Sequence, residues 1–332
     1  MKLQKIYEFI IASGIEADPR GAKTVQECLK QTSEEYAALS AKEKAWFDTD
    51  KLKNPYDDSR LLNGQPDKEI KTIMAGIDID TSELLLIDRL NESARGAGRQ
   101  KIDLALSHHP QGKGFAGLHE VMRMQADIYE QIGIPVNVAE GLLGERLKEV
   151  GRRIHAANHQ RAANAAQLLG IPFICAHTPA DNHAVSFLQK LFDRKKPKQL
   201  KDVIDLLLDI DEYKIAAKNN NPPVILFGAP RNKTGKIFVD MTGGTEGPKD
   251  IADHLLAAGV GTLVGMHVSD EFYKKLQSKN IHVIVAGHIS SDSLGLNLLL
   301  DKLEKSGNLK VLSCSGFTRV KRSSEAQTYR TK

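Results

Sequence analysis

Short apolar runs rich in isoleucine and valine recur along most of the chain, and polar stretches with helical spacing separate them. Runs of this kind are typical of strands buried within a sheet. Several of the separating stretches end in Gly or Asn, which commonly terminate helices. The alternation predicts an α/β protein with mostly parallel strands. The predicted strands are 70–79, 102–107, 134–139, 171–176, 222–229, 236–241, 260–266, 281–287 and 310–315.

Some segments depart from this alternation and suggest how the chain is divided. Residues 1–69 have a helical, polar pattern that ends in a loop rich in Pro, Asn, Asp and Gly, which predicts a helical N-terminal extension. Residues 191–221 combine a basic cluster, a helical stretch and the sequence NNNPP, so we place a linker there. The basic tail at 319–332 has the composition of a disordered segment. We therefore expect a first α/β lobe at 70–190 and a second at 222–318.

Composition places the chain among globular proteins and limits its partners. The 332 residues are 41% hydrophobic and 27% charged, which excludes collagen-like and wholly disordered classes. The net charge of +4 is too small to call for nucleic acid as a partner, and none is expected. The three cysteines are too far apart for a CxxC zinc motif or a disulfide framework. No apolar run approaches the ~20 residues of a membrane span and no signal peptide is evident, so we expect a cytoplasmic protein.

Five of the eleven histidines follow directly after an apolar run, at the point where a strand is predicted to end. In an open α/β sheet, ligands bind outside the carboxyl ends of the strands. A single histidine in such a place is more often a loop or capping residue, but five together favour a shared site. The five are His108, His109, His177, His267 and His288.

Three of these histidines are followed, four residues later, by a carboxylate. Each pair lies on one face if a helix begins there. Imidazole and carboxylate together suit Zn, Mn, Fe or Ni. Because the adjacent histidines stand at a strand end, both can turn toward the same edge and serve two ions, so the sequence predicts two divalent metal ions per chain. The pairs are His177/Asp181, His267/Glu271 and His288/Asp292.

Three short motifs in this set resemble those of the YbgI-type, Nif-three-like family of dinuclear metal-centre proteins. SHHP at 107–110, AHTPAD at 176–181 and GHISSD at 287–292 follow the family order of HHP, HTxxD and GHxxTE. The segment at 55–79 is also similar to the family's WDN-x-GL-x-x-G stretch and first strand, so the resemblance covers about residues 55–305. It implies two similar three-layer α/β/α lobes with mostly parallel mixed sheets, assembled into a homohexameric ring.

The resemblance also implies metal-binding roles for individual residues. By this resemblance, His108 binds one ion and His109 the other. Asp181 joins His109 on its ion, and His288 joins His108. Asp292 stands at the position of the family's bridging glutamate and is one methylene shorter, so it bridges from closer in, binds a single ion or acts through water.

Two further departures separate the chain from the family pattern. Where the family has TGDxxxH, this sequence has VGMHVSDE, which places His267 near the family's acid and Glu271 near its imidazole. The segment between His109 and Asp181 is longer than in the family, and we interpret about 111–170 as a helical insertion in the first lobe. We therefore do not infer the substrate from the resemblance.

The glycine-rich stretch MTGGTEGPKD at 241–250 lies between a predicted strand and a predicted helix. Successive glycine amides before a helix can form an anion-binding nest, so Gly243, Gly244 and Thr245 are candidate substrate-binding residues. A plain tight turn is the alternative, because the Lys-Ser/Thr signature of a P-loop is missing.

These features favour a metal-dependent hydrolase in which two divalent ions activate a shared water. His177, His267 and Glu271 are the candidates for proton transfer. Relatives in the family are often labelled as homologues of a type 2 GTP cyclohydrolase, so the resemblance implies cyclohydrolase-like, phosphoester or amide hydrolysis of an unknown small molecule. The alternative is a non-catalytic metal-binding ring that serves as a metallochaperone or regulatory adaptor. A hydrolase needs an open coordination position, whereas protein ligands close a structural site.

Overall fold

Short strands alternate with helices along most of the chain. The computed structural model describes residues 1–94 and 100–322. Its strands are β1 (Arg60–Asn63), β2 (Thr72–Gly76), β3 (Leu104–Ser107), β4 (Phe173–Cys175), β5 (Val224–Phe227), β6 (Lys236–Asp240), β7 (Val260–Gly265), β8 (His282–Val285) and β9 (Lys310–Cys314). Its helices are α1 (Leu3–Ala17), α2 (Ala22–Ala38), α3 (Ala41–Lys44), α4 (Thr81–Ala94), α5 (Gly112–Val121), α6 (Met124–Gln131), α7 (Val136–His155), α8 (Arg161–Leu169), α9 (Thr178–Lys195), α10 (Leu200–Leu208), α11 (Asp211–Lys218), α12 (Ala252–Ala257), α13 (Asp270–Ser278) and α14 (His288–Ser306).

The strands form two mixed sheets that share one topology. The first sheet has the order β1-β4-β3-β2-β9 and the second has the order β5-β8-β7-β6. In each sheet one edge strand, β1 or β5, runs antiparallel to its neighbour, and the remaining neighbours are parallel. The second sheet therefore repeats the order of the first four strands of the first sheet. The predicted α/β class, with two lobes and mostly parallel mixed sheets, is confirmed.

The two lobes share a hydrophobic core. β2 and β3 are buried at every position, which explains why they are continuous apolar runs rather than alternating ones. One cluster of buried side chains joins Ile73 and Leu106 of the first sheet to Leu143 of α7 and Leu263 of β7. This continuity holds the ends of the two sheets in a fixed relation.

Helices α9 and α14 start directly after β4 and β8 and pack closely against each other. Gly295 of α14 lies against Ala180 of α9, and a Cβ at position 295 would overlap the Ala180 carbonyl. Gly14 of α1 approaches Pro179 in the same way, since a Cβ there would lie 2.7 Å from the Pro179 Cβ. Glycine at these positions lets the first turn of α9 come within backbone contact of its neighbours.

The predicted strand at 134–139 is wrong, because this segment begins helix α7. Pro135 precedes the helix, and the buried positions Ala139, Leu143 and Leu147 recur at helical spacing. The apolar run is thus the first turn of an amphipathic helix, and a run this short does not distinguish a strand from a buried helical turn.

Other boundaries were set by tertiary pairing. β1 lies in the stretch predicted as loop and pairs antiparallel with β4. β9 falls within the range predicted for the second lobe, yet it pairs with β2 of the first sheet. The range predicted as a linker, 191–221, contains α10 and α11, which pack on the second sheet's core through Leu207 and Tyr213. Of the predicted disordered tail, 323–332 lie outside the described residues.

Arg319 belongs to the described part of that tail and is held by ion pairs to Asp301 and Glu304.

No helix within the described residues combines the length and the apolar character that a membrane span requires.

Candidate metal centre

The adjacent histidines continue the hydrogen-bond ladder of β3 past its last residue. The amide of His108 donates to Gly76 O and that of His109 to Ile77 O, each at 2.9 Å. Their side chains therefore leave the extended chain in different directions. The Nδ1 atom of His108 lies 3.2 Å from Ala176 O, and Nδ1 of His109 lies 2.7 Å from the Asp78 carboxylate. In both residues Nε2 is left to point toward the cluster.

Two helix starts supply the remaining candidate ligands. His177 precedes the first residue of α9 and has Asp181 one turn later, while α14 begins at His288 and carries Asp292 one turn later. Gly287 adopts a φ of 109° at the turn from β8 into α14, which only glycine adopts readily. The Nε2 atoms of His177 and His288 lie 3.7 and 3.6 Å from the carboxylates of Asp181 and Asp292, respectively.

The ligand atoms form overlapping groups in which all atoms lie within 4.8 Å of one another. One group is His108, Asp181 and Asp292, and another is His109, His288 and Asp292. Asp292 is common to both because its Oδ1 faces His108 and its Oδ2 faces His109, each at 3.4 Å. A third group joins the rings of His108, His109 and His177.

This grouping differs from the one that the resemblance implies. Asp181 lies with His108 rather than His109, and His288 lies with His109 rather than His108. The reason is the direction in which the two imidazoles leave β3. His108 turns toward the start of α9, where its Nδ1 meets Ala176 O, and His109 turns toward the start of α14.

Buried polar atoms without partners show that this donor set fits a cation. Within the described residues, His108 Nε2, Asp181 Oδ1 and both carboxylate oxygens of Asp292 are buried and have no hydrogen-bond partner. The imidazole–carboxylate distances of 3.4 Å exceed an ordinary hydrogen bond. Buried polar groups are otherwise nearly always paired, and imidazole with carboxylate is a donor set that divalent transition metals accept.

Comparison with known proteins finds similar solved structures. No protein-family profile matches the chain, and no curated protein matches it in sequence. Among solved structures, a NIF3 superfamily protein from Sphaerobacter thermophilus is 29% identical, covers 79% of this chain and 92% of its own, and superposes with a TM-score of 0.66. The chain is therefore similar to NIF3 superfamily proteins, from which its sequence diverges. The family resemblance found from the three motifs is thus confirmed.

Two other solved structures are similar at lower identity. Reduced HcgD from Methanocaldococcus jannaschii is 16% identical, with coverage of 83% of this chain and 97% of its own and a TM-score of 0.49. The protein ybgI is 13% identical, with coverage of 89% and 99% and a TM-score of 0.46.

The electrostatics of the NIF3-like cluster set the charge of each ligand. Burial lowers the pKa of His108 to about 4, so its imidazole is neutral near pH 7. Burial raises the pKa of Asp181 to about 8, and the charge of Asp292 adds to the effect. Burial also opposes ionisation of Asp292, but contacts with His108, His109 and His288 hold its pKa well below the usual range. Asp292 is therefore the fixed negative charge between the two groups.

A buried carboxylate that sequence reasoning missed orients His177. Asp58 is fully buried, and it accepts hydrogen bonds from Ser59 Oγ and Thr178 Oγ1 and lies 2.8 Å from His177 Nδ1. Burial lowers the pKa of His177, but the carboxylates of Asp181 and Asp58 outweigh it and raise that pKa to about 9. Asp58 stands in the PYDDS segment, whose similarity to the family's WDN stretch was the one available signal.

His267 and Glu271 are not held together. The ring of His267 lies 5.0 Å from that of His288, at the edge of the cluster. Glu271 is exposed on α13 and pairs with Lys249 at 2.6 Å. Among the described residues, no hydrogen bond or ion pair joins His267 to Glu271, so the structure brings only the imidazole of this predicted pair to the site.

A side chain of the helical segment that follows β3 holds the glycine-rich loop in place. Gln125 of α6 donates through Nε2 to Gly243 O at 2.8 Å and to Thr245 O at 2.7 Å. Gly243 and Gly244 have φ values of 91° and 83°, so the loop is a tight turn of the kind only glycine forms easily. Gly244 and Thr245 line the cleft beside the cluster, whereas Gly243 is buried against Gln125.

The cluster opens into a cleft of about 430 Å³ between the carboxyl ends of the two sheets. His109, His177, His267 and His288 line it together with Asp181. This volume lies within the range of about 300–1,000 Å³ that is typical of small-molecule sites. The imidazoles and carboxylates are therefore reachable from a space large enough for a small substrate.

Proposed function

We propose that this NIF3-like protein binds two divalent metal ions per chain and is a metal-dependent hydrolase of a small molecule. The observation that carries the proposal is Asp292, whose two buried, unpartnered oxygens face two different ligand groups beside an open cleft. His108 and Asp181 would hold one ion and His109 and His288 the other, with Asp292 shared. Divalent ions held there would supply Lewis-acid activation of water and of the scissile group near neutral pH.

The chain's own residues supply proton transfer and positioning. His177 is buried at the cluster, with Nδ1 fixed by Asp58 and Nε2 directed toward Asp181. Because Asp58 holds Nδ1 and leaves Nε2 facing the cluster, we assign His177 to donating a proton to the leaving group from Nε2. His267 lines the cleft at the side of His288 and is the second candidate for accepting or donating a proton.

Assembly and location complete the proposal. By resemblance to the family, the chain would form a homohexameric ring, which we place in the cytoplasm. The proposed reaction would then take place in a cleft within each protomer, because the ligands of both groups come from a single chain.

Metal-dependent turnover tests the function directly. The purified protein would be stripped with chelator, reloaded separately with Zn²⁺, Mn²⁺, Fe²⁺ or Ni²⁺, and assayed against phosphoester, nucleotide, cyclic amide and amidine substrates. We expect turnover only after reloading, and its loss in Asp292→Asn. Asp250→Asn is the matched control, since Asp250 is an exposed acid paired with Lys275. Two bound ions without turnover on any class would favour the non-catalytic metal-binding role instead.

A further inference from the structure

The end of the second sheet supplies a wall of the cleft that the metal cluster does not use. Asp240 is the last residue of β6 and lines the cleft beside Leu263 and Met266 of the neighbouring strand and its end. Phe115 of α5 adds aromatic surface to the same space, and Phe272 of α13 also lines it, although it is only 2% exposed. This wall therefore combines one carboxylate with an apolar surface of a size suited to a ring.

The other acidic side chains that line the cleft outside the metal cluster already have donors. Asp78 meets His109 Nδ1 at 2.7 Å, and Asp80 pairs with Arg161. Glu246 accepts from the amide and hydroxyl of Ser269 at 2.8 and 2.5 Å.

Asp240 differs from these acids because no hydrogen bond or ion pair to it is found within residues 1–94 and 100–322. It is half-buried, and burial together with the charge of Glu246 raises its pKa to about 7. A carboxylate that is partly removed from water without gaining a protein donor is destabilised, and a donor from a ligand would offset that cost.

The overall charge of the cleft narrows the class of ligand. Four acidic side chains line it besides Asp181, and Arg161 is the one Lys or Arg side chain among the described lining residues. Because Arg161 is already paired with Asp80, the part of the cleft outside the metal cluster has no unpaired Lys or Arg side chain among its described lining residues to bind a phosphate. The same charges disfavour the anion-nest interpretation of the loop at 241–250.

We propose that Asp240 binds the amidine or amino N–H groups of a substrate whose planar apolar body contacts Phe115. This proposal rests on the proposed function and names its substrate class: a nitrogen-rich, neutral or cationic small molecule rather than a phosphate ester. A carboxylate accepts two parallel N–H bonds from an amidinium group, and such charge-assisted pairs are about twice as strong as neutral ones. Asp240 is a binding and specificity residue, and the metal cluster remains the reacting end of the cleft.

Binding of small probes tests the proposal without any need for turnover. Benzamidine, benzamide and benzoate have nearly the same shape and differ in charge and in N–H donors. Dissociation constants measured by ligand-observed NMR on the metal-loaded protein should rank benzamidine tightest. Asp240→Asn should weaken the binding of benzamidine by about tenfold or more, which is the loss expected for one charged hydrogen bond. The affinity for benzamide should remain nearly unchanged. Asp250→Asn, which removes an equal charge outside the cleft, should leave all three constants unchanged.

Several outcomes would overturn this assignment. One is tighter binding of benzoate than of benzamidine by the unaltered protein. Another is no benzamidine binding at millimolar concentration. The third is an equal loss of benzamidine affinity in Asp240→Asn and Asp250→Asn. The ranking in the unaltered protein stands as a test even where Asp240→Asn does not fold. Repeating the titration on chelator-treated protein separates this proposal from the proposed function, because benzamidine binding at Asp240 should persist without metal whereas turnover should not.

Discussion

The second sheet repeats the order of four strands of the first, yet the carboxyl ends of the two sheets differ in how firmly they hold the candidate site residues. At the end of the first sheet, His108 is fully buried and His177 is oriented by the buried carboxylate of Asp58. At the end of the second, the His288 side chain is 42% exposed and His267 is exposed. A duplicated topology thus provides one side that is fixed before any ligand arrives and one side that remains accessible.

This difference suggests a division of labour. Side chains locked by buried hydrogen bonds hold a metal in a defined geometry at little cost in ordering. Side chains at the open end, together with Asp240, can adjust to a substrate. Asp292 links the two sides, because it lies on the second lobe's helix and faces His108 of the first. The comparison predicts unequal consequences for equivalent substitutions.

The largest effect is expected from loss of a ligand at the buried side. His108→Ala should lower the affinity for the first divalent ion by on the order of 100-fold or more, because water cannot readily take its place in a fully buried position. His288→Ala should cost about tenfold, since this side chain is partly exposed and water can substitute. Competition titration with a chromophoric chelator measures both constants. Equal losses in the two variants would remove the basis of the comparison.

An intermediate effect is expected from the support of His177. Asp58→Asn should destabilise folding by about 1–3 kcal/mol. The substitution weakens a fully buried acceptor that contacts three other side chains. It should also move the pKa of His177 down from about 9 toward its usual value. Urea unfolding and NMR titration of the imidazole measure these quantities.

Asp78→Asn is the matched control for this change, because Asp78 also contacts a histidine of the cluster but is 64% exposed. Its stability should change by less than about 0.5 kcal/mol. A stability loss as large as that of Asp58→Asn would contradict the claim that burial, rather than contact with a histidine, fixes the first side.

A change of pH is expected to have the smallest effect on metal affinity. Asp181 must lose its proton to bind a cation, and burial raises its pKa to about 8. Metal affinity should therefore rise as the pH increases from 6.5 to about 8, by less than about tenfold per pH unit, and level off above it. Burial lowers the pKa of His288, so proton loss from this imidazole adds less to the trend than proton loss from Asp181. Calorimetry across this range measures the trend, which Asp181→Asn should flatten and which an affinity that falls with pH would contradict.

Much of this site could be predicted because its residues occupy positions that the strand pattern marks. A histidine after an apolar run lies at the carboxyl end of a strand wherever that run is a strand, and a carboxylate four residues later lies above it if a helix follows. The grouping of ligands could not be predicted in this way. The grouping depends on the directions in which the side chains of His108 and His109 leave β3. Contacts with Ala176 and Asp78, which belong to other segments, decide those directions.

The missed features have related causes. Asp58 lies in a loop without periodicity and meets His177 across 119 positions of sequence. β1 is a short edge strand without an apolar pattern of its own, and its pairing with β4 makes it a strand. The segment at 134–139 has the composition of a strand, and only its burial on one helical face reveals α7. In each case tertiary contact, rather than local preference, decides the structure.

The backbone contact between α9 and α14 has a consequence for ion choice. Asp181 is one residue from Ala180, and Asp292 is one turn before Gly295, so the missing Cβ at 295 sets how far apart the two carboxylates stand. Calcium needs six to eight oxygen ligands in a site that can expand, at about 2.3–2.6 Å. Helices in direct backbone contact leave little room for such expansion, so we expect Gly295 to favour smaller ions at this cluster.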